Sequence, residues 1–518
     1  MVGRAAGFML GLAAMLVSAS AGDRIIAADM AKPAARDMAW QDCVGADHPG
    51  ILLRTDNLAH LKLAHDETGF KYIRFHGIFH DDMAAYREVD GKPVHDFTKV
   101  IAAYDAILKT GMKPFVEIGF MPHDLASGSK TIFYWQANGS PPKDYGKWAN
   151  FIADFAATME AHFGKAEVQS WRFEVWNEPN LDGFWSDGNQ QEYFKLYDST
   201  ARAIKKIDPA LKVGGPATAG AAWVPQFIAH AKAAGVPVDF ITTHTYGVNG
   251  GFLDEKGEGD NKLAPDPASI SGDVWKVRRE IDASAMPGLP LYFTEWSTSY
   301  NPRDPIHDAY LSAAFILDKL KKSEGAAGSM SYWTYTDLFE EAGPPPAAFH
   351  GGFGLITRDG IRKASFFAYK YLDKLGAQTV AGGDAQSIVT RDGDNFAGLV
   401  WNYTTPEMAE SNRPYFRKVH PAPATDPVQL KVSALKPGSY KLTIRRTGYD
   451  ANDAYSQYIR WGLPKDLSAE QIETLRMLTA DKPEFERTVT IGTDGIFQQA
   501  IPFRINDVAL VRLERLER

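Results

Sequence analysis

The chain reads as an α/β protein, a (β/α)8 TIM barrel followed by a C-terminal β-sandwich. Three observations predict this. Between Trp40 and Trp333, short apolar runs rich in β-formers alternate with segments whose apolar residues recur at helical spacing, the pattern of a parallel sheet wrapped by helices. The strand-like runs number eight, as a closed barrel requires. Beyond about Lys374 the alternation gives way to short β segments separated by turns, as in a sandwich. A length of 518 residues, 45% hydrophobic and 12% aromatic, is enough to bury two such cores.

Taken in order, the first segment is a leader. Arg4 precedes an apolar run from Phe8 to Val17, and small residues follow, including Ala19-Ser20-Ala21. That is the layout of a secretory signal peptide over residues 1–21, cleaved near Ala21, which predicts a secreted or periplasmic protein. The alternative is a single membrane anchor, but the run falls short of the ~20 apolar residues a span needs. Residues 22–374 are assigned to the barrel and 375–518 to the sandwich, with the polar stretch that runs to about Met38 able to add strands to the sandwich. Cys43 is the only cysteine, so no internal disulfide forms, and its apolar neighbours predict a buried, inert thiol in an early strand.

The predicted barrel strands are residues 41–45, 72–75, 114–118, 171–176, 212–214, 240–243, 291–294 and 330–333. Helices between them carry buried stripes, Trp148, Phe151, Ile152, Phe155 and Met159 in one and Tyr193, Tyr197, Thr200, Ile204 and Ile207 in another. Core packing explains such spacing without any ligand. Long connections at residues 247–271 and 337–354 follow barrel strands and should shape a binding mouth on the catalytic face. The sandwich strands are residues 387–390, 397–403, 430–432, 440–445, 488–491 and 508–513. A helix over residues 468–478 opens on the capping box Ser468-Ala-Glu-Gln471. The net charge of −8, from 56 basic and 64 acidic residues with no basic run, excludes nucleic acid as a natural partner.

Two strand-like runs end in a carboxylate: Trp171-Arg-Phe-Glu-Val-Trp-Asn-Glu178-Pro and Leu291-Tyr-Phe-Thr-Glu295-Trp. They stand where strands four and seven of the barrel would end, and the C-terminal ends of barrel strands carry chemistry. Two carboxyl groups about 5 Å apart can split a glycosidic bond with retention, one protonating the departing oxygen and the other attacking the sugar carbon. Glu178 suits the acid/base role and Glu295 the nucleophile. Partial desolvation and the charge of Glu295 would hold the proton on Glu178. Asn177 offers an amide to the sugar 2-hydroxyl. A glutamate at a strand end can also be a plain surface charge, and His76 and His244 can be satisfied core histidines. His80-Asp81-Asp82 reads as a loop cap rather than a metal site, and Gly351-Gly-Phe-Gly354 is too incomplete for a dinucleotide fingerprint. Neither a metal nor an organic cofactor is expected.

With these motifs the chain resembles glycoside hydrolase family 39, in the large clan of barrel enzymes. The likeness extends through Gly69-Phe-Lys-Tyr-Ile-Arg-Phe-His76, Pro114-Phe-Val-Glu-Ile-Gly-Phe-Met-Pro122, Ser140-Pro-Pro-Lys-Asp-Tyr145, Thr243-His244-Thr-Tyr246, Trp333-Thr-Tyr-Thr-Asp-Leu-Phe-Glu340-Glu341 and Phe349-His-Gly-Gly-Phe353. The resemblance implies Glu178 as acid/base and Glu295 as nucleophile. It also implies that His76, Asn177, His244, Tyr246, Trp333, Glu340 and Glu341 line the subsite for the non-reducing sugar, with Tyr246 donating to Glu295. Family members include β-xylosidases, α-L-iduronidases and arabinose- or galactose-releasing enzymes. A uronate calls for Arg or Lys, which the resemblance places after strand six in the family's iduronidases; here Thr243-His-Thr-Tyr-Gly-Val-Asn249 has neither, while Glu340 and Glu341 would repel it. The expectation is a retaining exo-acting β-xylosidase that trims xylo-oligosaccharides. The alternatives are another glycosidase of the family or a non-catalytic carbohydrate-binding barrel. Residues 448–485, with Tyr449, Tyr455, Tyr458 and Trp461, either reach a neighbouring subunit's site in a homo-oligomer or simply pack.

Overall fold

The computed structural model describes residues 24–516; the predicted leader, residues 1–21, lies outside them. Eight parallel strands close into a barrel in chain order: Cys43–Ala46, Tyr72–Phe75, Lys113–Ile118, Arg172–Val175, Lys212–Thr218, Phe240–Tyr246, Leu291–Ser297 and Ser329–Tyr332. The eighth closes on the first where Tyr332 lies opposite Val44.

Two details differ from the sequence-based expectation. Ala39–Asp42 is a helical turn, started by the Asp37 side chain accepting from the Ala39 amide at 2.8 Å, so the first strand begins at Cys43. Strands five to seven run on past the points where their apolar character fades, and Glu295 lies inside strand seven. The continuation is polar because its side chains are buried around an interior site rather than in an apolar core: Thr242, Thr243, His244 and Glu295 are all buried. The register shifts at Thr243/His244, the kind of irregularity that re-aims side chains beside active sites.

Helices seal the outside. Tyr145–Phe163 buries Trp148, Phe151, Ile152, Phe155 and Met159 on one stripe, and Gln190–Ile207 buries Tyr193, Tyr197, Thr200 and Ile204. Each such large side chain contributes roughly 1.5–3 kcal/mol. Asp144 and Asn189 cap the two helices by accepting from backbone amides of the first turn. Among the described residues no helix is long and apolar enough to cross a membrane. Cys43 is buried in strand one, and burial pushes its thiol up to about 12, so it stays an unreactive core group.

The long connection after strand six is not irregular throughout. It contains an antiparallel hairpin, Val248–Leu253 with Gly259–Leu263, pinned by Asn412 Oδ1 accepting from the Leu263 amide at 2.8 Å. The loop after strand eight is tied down by the buried Lys363, which bridges Asp308 at 2.6 Å and Asp337 at 2.7 Å and donates to the Gly352 carbonyl at 2.9 Å.

The C-terminal strands form a nine-stranded sheet in the order Phe485–Ile491, Gly438–Thr447, Val508–Arg515, Asn395–Trp401, Ser387–Asp392, Gln378–Gly382, Ile25–Ala35, Ala424–Ser433, Phe497–Arg504. Its two ends share one apolar cluster, with Ile26, Leu430 and Ile501 from one side and Phe396, Leu442 and Val511 from the other, which makes a sandwich. Ile25–Ala35 sits between Gln378–Gly382 and Ala424–Ser433, and its buried Ile26, Ala28 and Met30 alternate with more exposed neighbours as a half-buried strand should. Ala469–Leu478 carries the expected capping box. In the same insertion, Tyr455 and Tyr458 are buried and pack on Phe349 of the barrel with ring centroids 5.6 and 5.0 Å away.

Candidate active site

The strand ends converge on a cavity of about 640 Å³, within the range of small-molecule sites. Strand four stops at Val175, and the chain turns sharply through Trp176 and Glu178, which hold φ of +72° and +44°. Such left-handed geometry in non-glycine residues costs about 1–3 kcal/mol each and persists where the surroundings enforce it. Here the Glu178 amide donates to the Ala217 carbonyl at 2.8 Å and the Trp176 amide to Ile118 at 3.0 Å. The turn aims Glu178 across the barrel at Glu295. A carboxylate oxygen of each and a ring nitrogen of His244 all lie within 4.8 Å of one another. Atoms this close could chelate a cation, but each already faces a protein partner: His244 Nδ1 is 2.9 Å from Glu178 Oε1, and both Glu295 oxygens accept hydrogen bonds.

Arg74, on strand two, organises the floor. It donates from Nη1 to Glu295 Oε1, from Nε to Glu174 Oε2 at 2.7 Å and from Nη2 to Asn177 Oδ1 at 2.9 Å, with Glu117 Oε2 also 2.9 Å from Nη2. Burial works against its charge, yet Glu174, Glu117 and Glu295 together raise its pKa. Because Arg74 occupies the Asn177 oxygen, the Asn177 amide nitrogen is the group left for the cavity. Tyr246 donates its hydroxyl to Glu295 Oε2 at 2.7 Å.

His76 forms a second node. Its Nδ1 lies 2.6 Å from Glu117, and its Nε2 lies 3.2 Å from Glu341 and 3.7 Å from Glu295. Burial opposes the imidazolium, but these carboxylates hold its pKa well above the ordinary value. Burial also raises Glu341 to about 7, with His76 pulling the other way. The Trp333 ring lies 4.7 Å from the His76 ring and closes this end of the cavity. Strand one admits the indole because it carries Gly45, where a Cβ would come within 2.2 Å of the ring.

Glu178 is raised to about 7 by burial. The His76 and Arg74 cations oppose the shift and Glu117 adds to it. Of the two causes expected, burial leads the shift, and the carboxylate that adds to it is Glu117. His244 is lowered to about 4, first by burial, with Glu295 opposing, so it is neutral at physiological pH.

Of the nine residues singled out from the sequence, His76, Asn177, Glu178, Tyr246, Glu295, Trp333 and Glu341 line the cavity. His244 lies behind them, buried against both glutamates instead of facing the opening. Glu340 does not line the cavity at all. The chain turns here, with the Gly343 amide donating to the Glu340 carbonyl at 2.9 Å, and while Glu341 faces His76, Glu340 points toward Arg54, 3.9 Å away, with its amide on Asp47 at 2.6 Å. Sequence reasoning missed Arg74, Glu117, Glu174 and Thr294. The available signal was a charged residue within an apolar strand, as in Tyr72-Ile-Arg-Phe75 and Phe115-Val-Glu-Ile118. His80 behaves as the expected loop cap, accepting from the Asp82 amide at 3.4 Å.

Comparison with known proteins agrees with this geometry. The profile of glycosyl hydrolases family 39 matches residues 25–498. The β-xylosidase of Geobacillus stearothermophilus is 38% identical over 488 residues, 92% of this chain and 93% of that protein. The crystal structure of a monomeric β-xylosidase from Caulobacter crescentus CB15 superposes with a TM-score of 0.93 at 52% identity, over 95% of this chain and all (100%) of the other. The family 39 enzyme from Xanthomonas axonopodis pv. citri gives a TM-score of 0.95 at 50% identity, over 98% and 100%. With a family match across nearly the whole described chain and a barrel whose two glutamates meet over one cavity, the chain belongs to glycosyl hydrolases family 39.

Proposed function

We propose that the protein is a retaining exo-acting β-xylosidase that releases xylose from the non-reducing ends of xylo-oligosaccharides, with Glu178 as acid/base and Glu295 as nucleophile. The observation that carries the reading is the separation of the two carboxyl groups. Oxygens within 4.8 Å match the ~5 Å spacing of double displacement and fall short of the roughly 6.5–9.5 Å at which inverting enzymes hold their carboxyls.

The geometry performs the reaction in two steps. Glu295, oriented by Arg74 and Tyr246, attacks the anomeric carbon while the proton of Glu178 passes to the leaving oxygen and the glycosidic bond breaks. Water then attacks the glycosyl-enzyme, giving its proton to Glu178 as the bond to Glu295 breaks, with net retention. Asn177 supplies an amide to the 2-hydroxyl, Trp333 a face for the sugar's C–H surface, and His76 with Glu341 a donor and an acceptor for further hydroxyls. The leaving group would pass the apolar rim of Leu181, Phe184 and Tyr300.

Charge favours a neutral pentose. No Lys or Arg lines the cavity among the described residues, and the one cation that does, His76, is already engaged by Glu117 and Glu341. The leader pattern over Phe8–Val17 supports export, and N-terminal sequencing of the mature protein should begin near Gly22.

The test is hydrolysis of p-nitrophenyl β-D-xyloside and xylobiose, with aryl arabinoside and iduronide in parallel and Glu295→Ala as control. Xylose should appear first as the β-anomer by proton NMR. Initial release of the α-anomer, or preference for the iduronide, would overturn the proposal.

A further inference from the structure

A hydrogen-bonded chain runs behind the cavity and joins the two glutamates. From Glu295 it passes through Arg74 to Glu174, whose Oε1 accepts the Thr294 hydroxyl at 2.7 Å; Thr294 Oγ1 lies 3.2 Å from His244 Nε2, and His244 Nδ1 lies 2.9 Å from Glu178 Oε1. Thr294, His244 and Glu174 are fully buried.

With His244 neutral, the shortest contacts assign the protons, and Glu295 Oε2, 3.5 Å from His244 Nδ1, already accepts the Tyr246 hydroxyl at 2.7 Å. Glu174, paired with Arg74, can only accept, so it takes the single hydroxyl proton of Thr294. The Thr294 oxygen then has only lone pairs to offer, and His244 must meet it with Nε2–H. A neutral imidazole carries one N–H, so Nδ1 is bare. A bare nitrogen opposite Glu178 Oε1 makes a hydrogen bond only if Glu178 brings the proton.

We propose that Thr294 and Glu174 are positioning residues that lock His244 in its Nε2–H tautomer, so that His244 Nδ1 accepts the Glu178 proton and holds the acid in its protonated form until a glycosidic oxygen replaces that acceptor. This rests on Glu178 being the acid/base. In the first step the proton leaves with the departing group. In the second the ionised Glu178 faces the Nδ1 lone pair, which makes it a stronger base toward the attacking water, and recovering the proton restores the resting contact. The other charged or titratable groups facing this pair are Arg74 and His76 from strand two, Glu117 from strand three, Tyr246 from strand six, Glu295 from strand seven and Glu341 from the loop after strand eight. Arg74 and His76 draw Glu178 toward its ionised form, and the bare nitrogen works against them.

Thr294→Val removes the lock. His244 becomes free to place its proton on Nδ1 and donate to the Glu178 carboxylate, so the alkaline limb of the kcat/KM profile should move down by about one pH unit. Thr294→Ser, which keeps the hydroxyl, should hold the limb at the parent position. Nitrogen-15 NMR of the parent, with His244 assigned through His244→Gln, should show the unprotonated nitrogen to be Nδ1; this measurement needs no destabilising variant. A folded Thr294→Val with an unmoved limb, or a parent with its proton on Nδ1, would overturn the lock. Glu178→Gln separates this from the underlying assignment: parental rates in that variant would remove Glu178 as acid/base, whereas a crippled Glu178→Gln beside an unmoved Thr294→Val limb would remove only the lock.

Discussion

The interior of the barrel beneath the cavity and the interior of the C-terminal sandwich are equally closed to water but are built from opposite materials. In the barrel, strands two, three, four, six and seven bury Arg74, Glu117, Glu174, His244 and Glu295 side by side. In the sandwich, the shared cluster is Ile26, Val400, Leu430, Tyr440, Leu442, Val511 and similar side chains. Burying apolar surface stabilises a fold in proportion to area, whereas burying charge is costly unless every partner is supplied. The difference teaches that the site's ionic floor is kept for chemistry, while the sandwich and the helical jacket supply stability. Ile25–Ala35 links the two, since it leads into the barrel but lies in the sandwich sheet.

The comparison can be broken most decisively at Glu295. Glu295→Ala should lower kcat on p-nitrophenyl β-D-xyloside by about 10⁴-fold or more while thermal melting still reports a folded protein. Loss of the fold instead would mean that Glu295, the proposed nucleophile, is part of the scaffold. Arg74→Met comes next. With the cation gone, Glu117, Glu174 and Glu295 face one another unpaired, and urea titration should show a loss of about 3–5 kcal/mol together with a loss of turnover. Leu430→Ala, in the sandwich, should cost about 3 kcal/mol and leave kcat per folded molecule unchanged; a change in kcat would show that the two regions are coupled.

Glu178 sharpens the contrast through pH. In the proposed mechanism the protonated form is the one that works as acid, so kcat/KM should fall as pH rises through about 7. The same group is a stability liability. Its folded pKa is raised above the ordinary 4.5, so the unfolded chain releases the proton first, and stability should decline as pH climbs from about 4.5 to about 7 and remain lower above that. Glu178→Gln should flatten this part of the stability profile and gain about 2 kcal/mol at pH 8, read by denaturant midpoints. The smallest effect belongs to Tyr246→Phe, which loses one hydrogen bond to Glu295 and should lower kcat about 10-fold with little change in melting temperature.

Much of the architecture was legible because it is written in local periodicity. Strand-like runs and helical stripes such as Trp148 to Met159 show their pattern within a single segment, and the capping box at Ser468 is a four-residue signal. Glu178 and Glu295 were legible because a carboxylate ending an apolar run stands out without its partner. The floor was not. Arg74 meets Glu174 and Glu295 from 100 and 221 positions away, separations at which no local pattern records contact. Glu340 and Glu341 are indistinguishable in composition, and only the path of the loop held by Lys363 decides that Glu341 meets His76 while Glu340 turns to Arg54.

From its sequence alone this protein determined the number and order of its barrel strands, the two carboxyl groups at their ends and the change to short strands after the barrel, because hydrophobic period and strand-end chemistry are properties of neighbouring residues. Closure of the barrel decided the rest: which charges share one low-dielectric floor, what keeps the proton on Glu178, and which nitrogen of His244 faces it. Those depend on distances between residues remote in the chain, and burial is a property of the assembled molecule rather than of any segment.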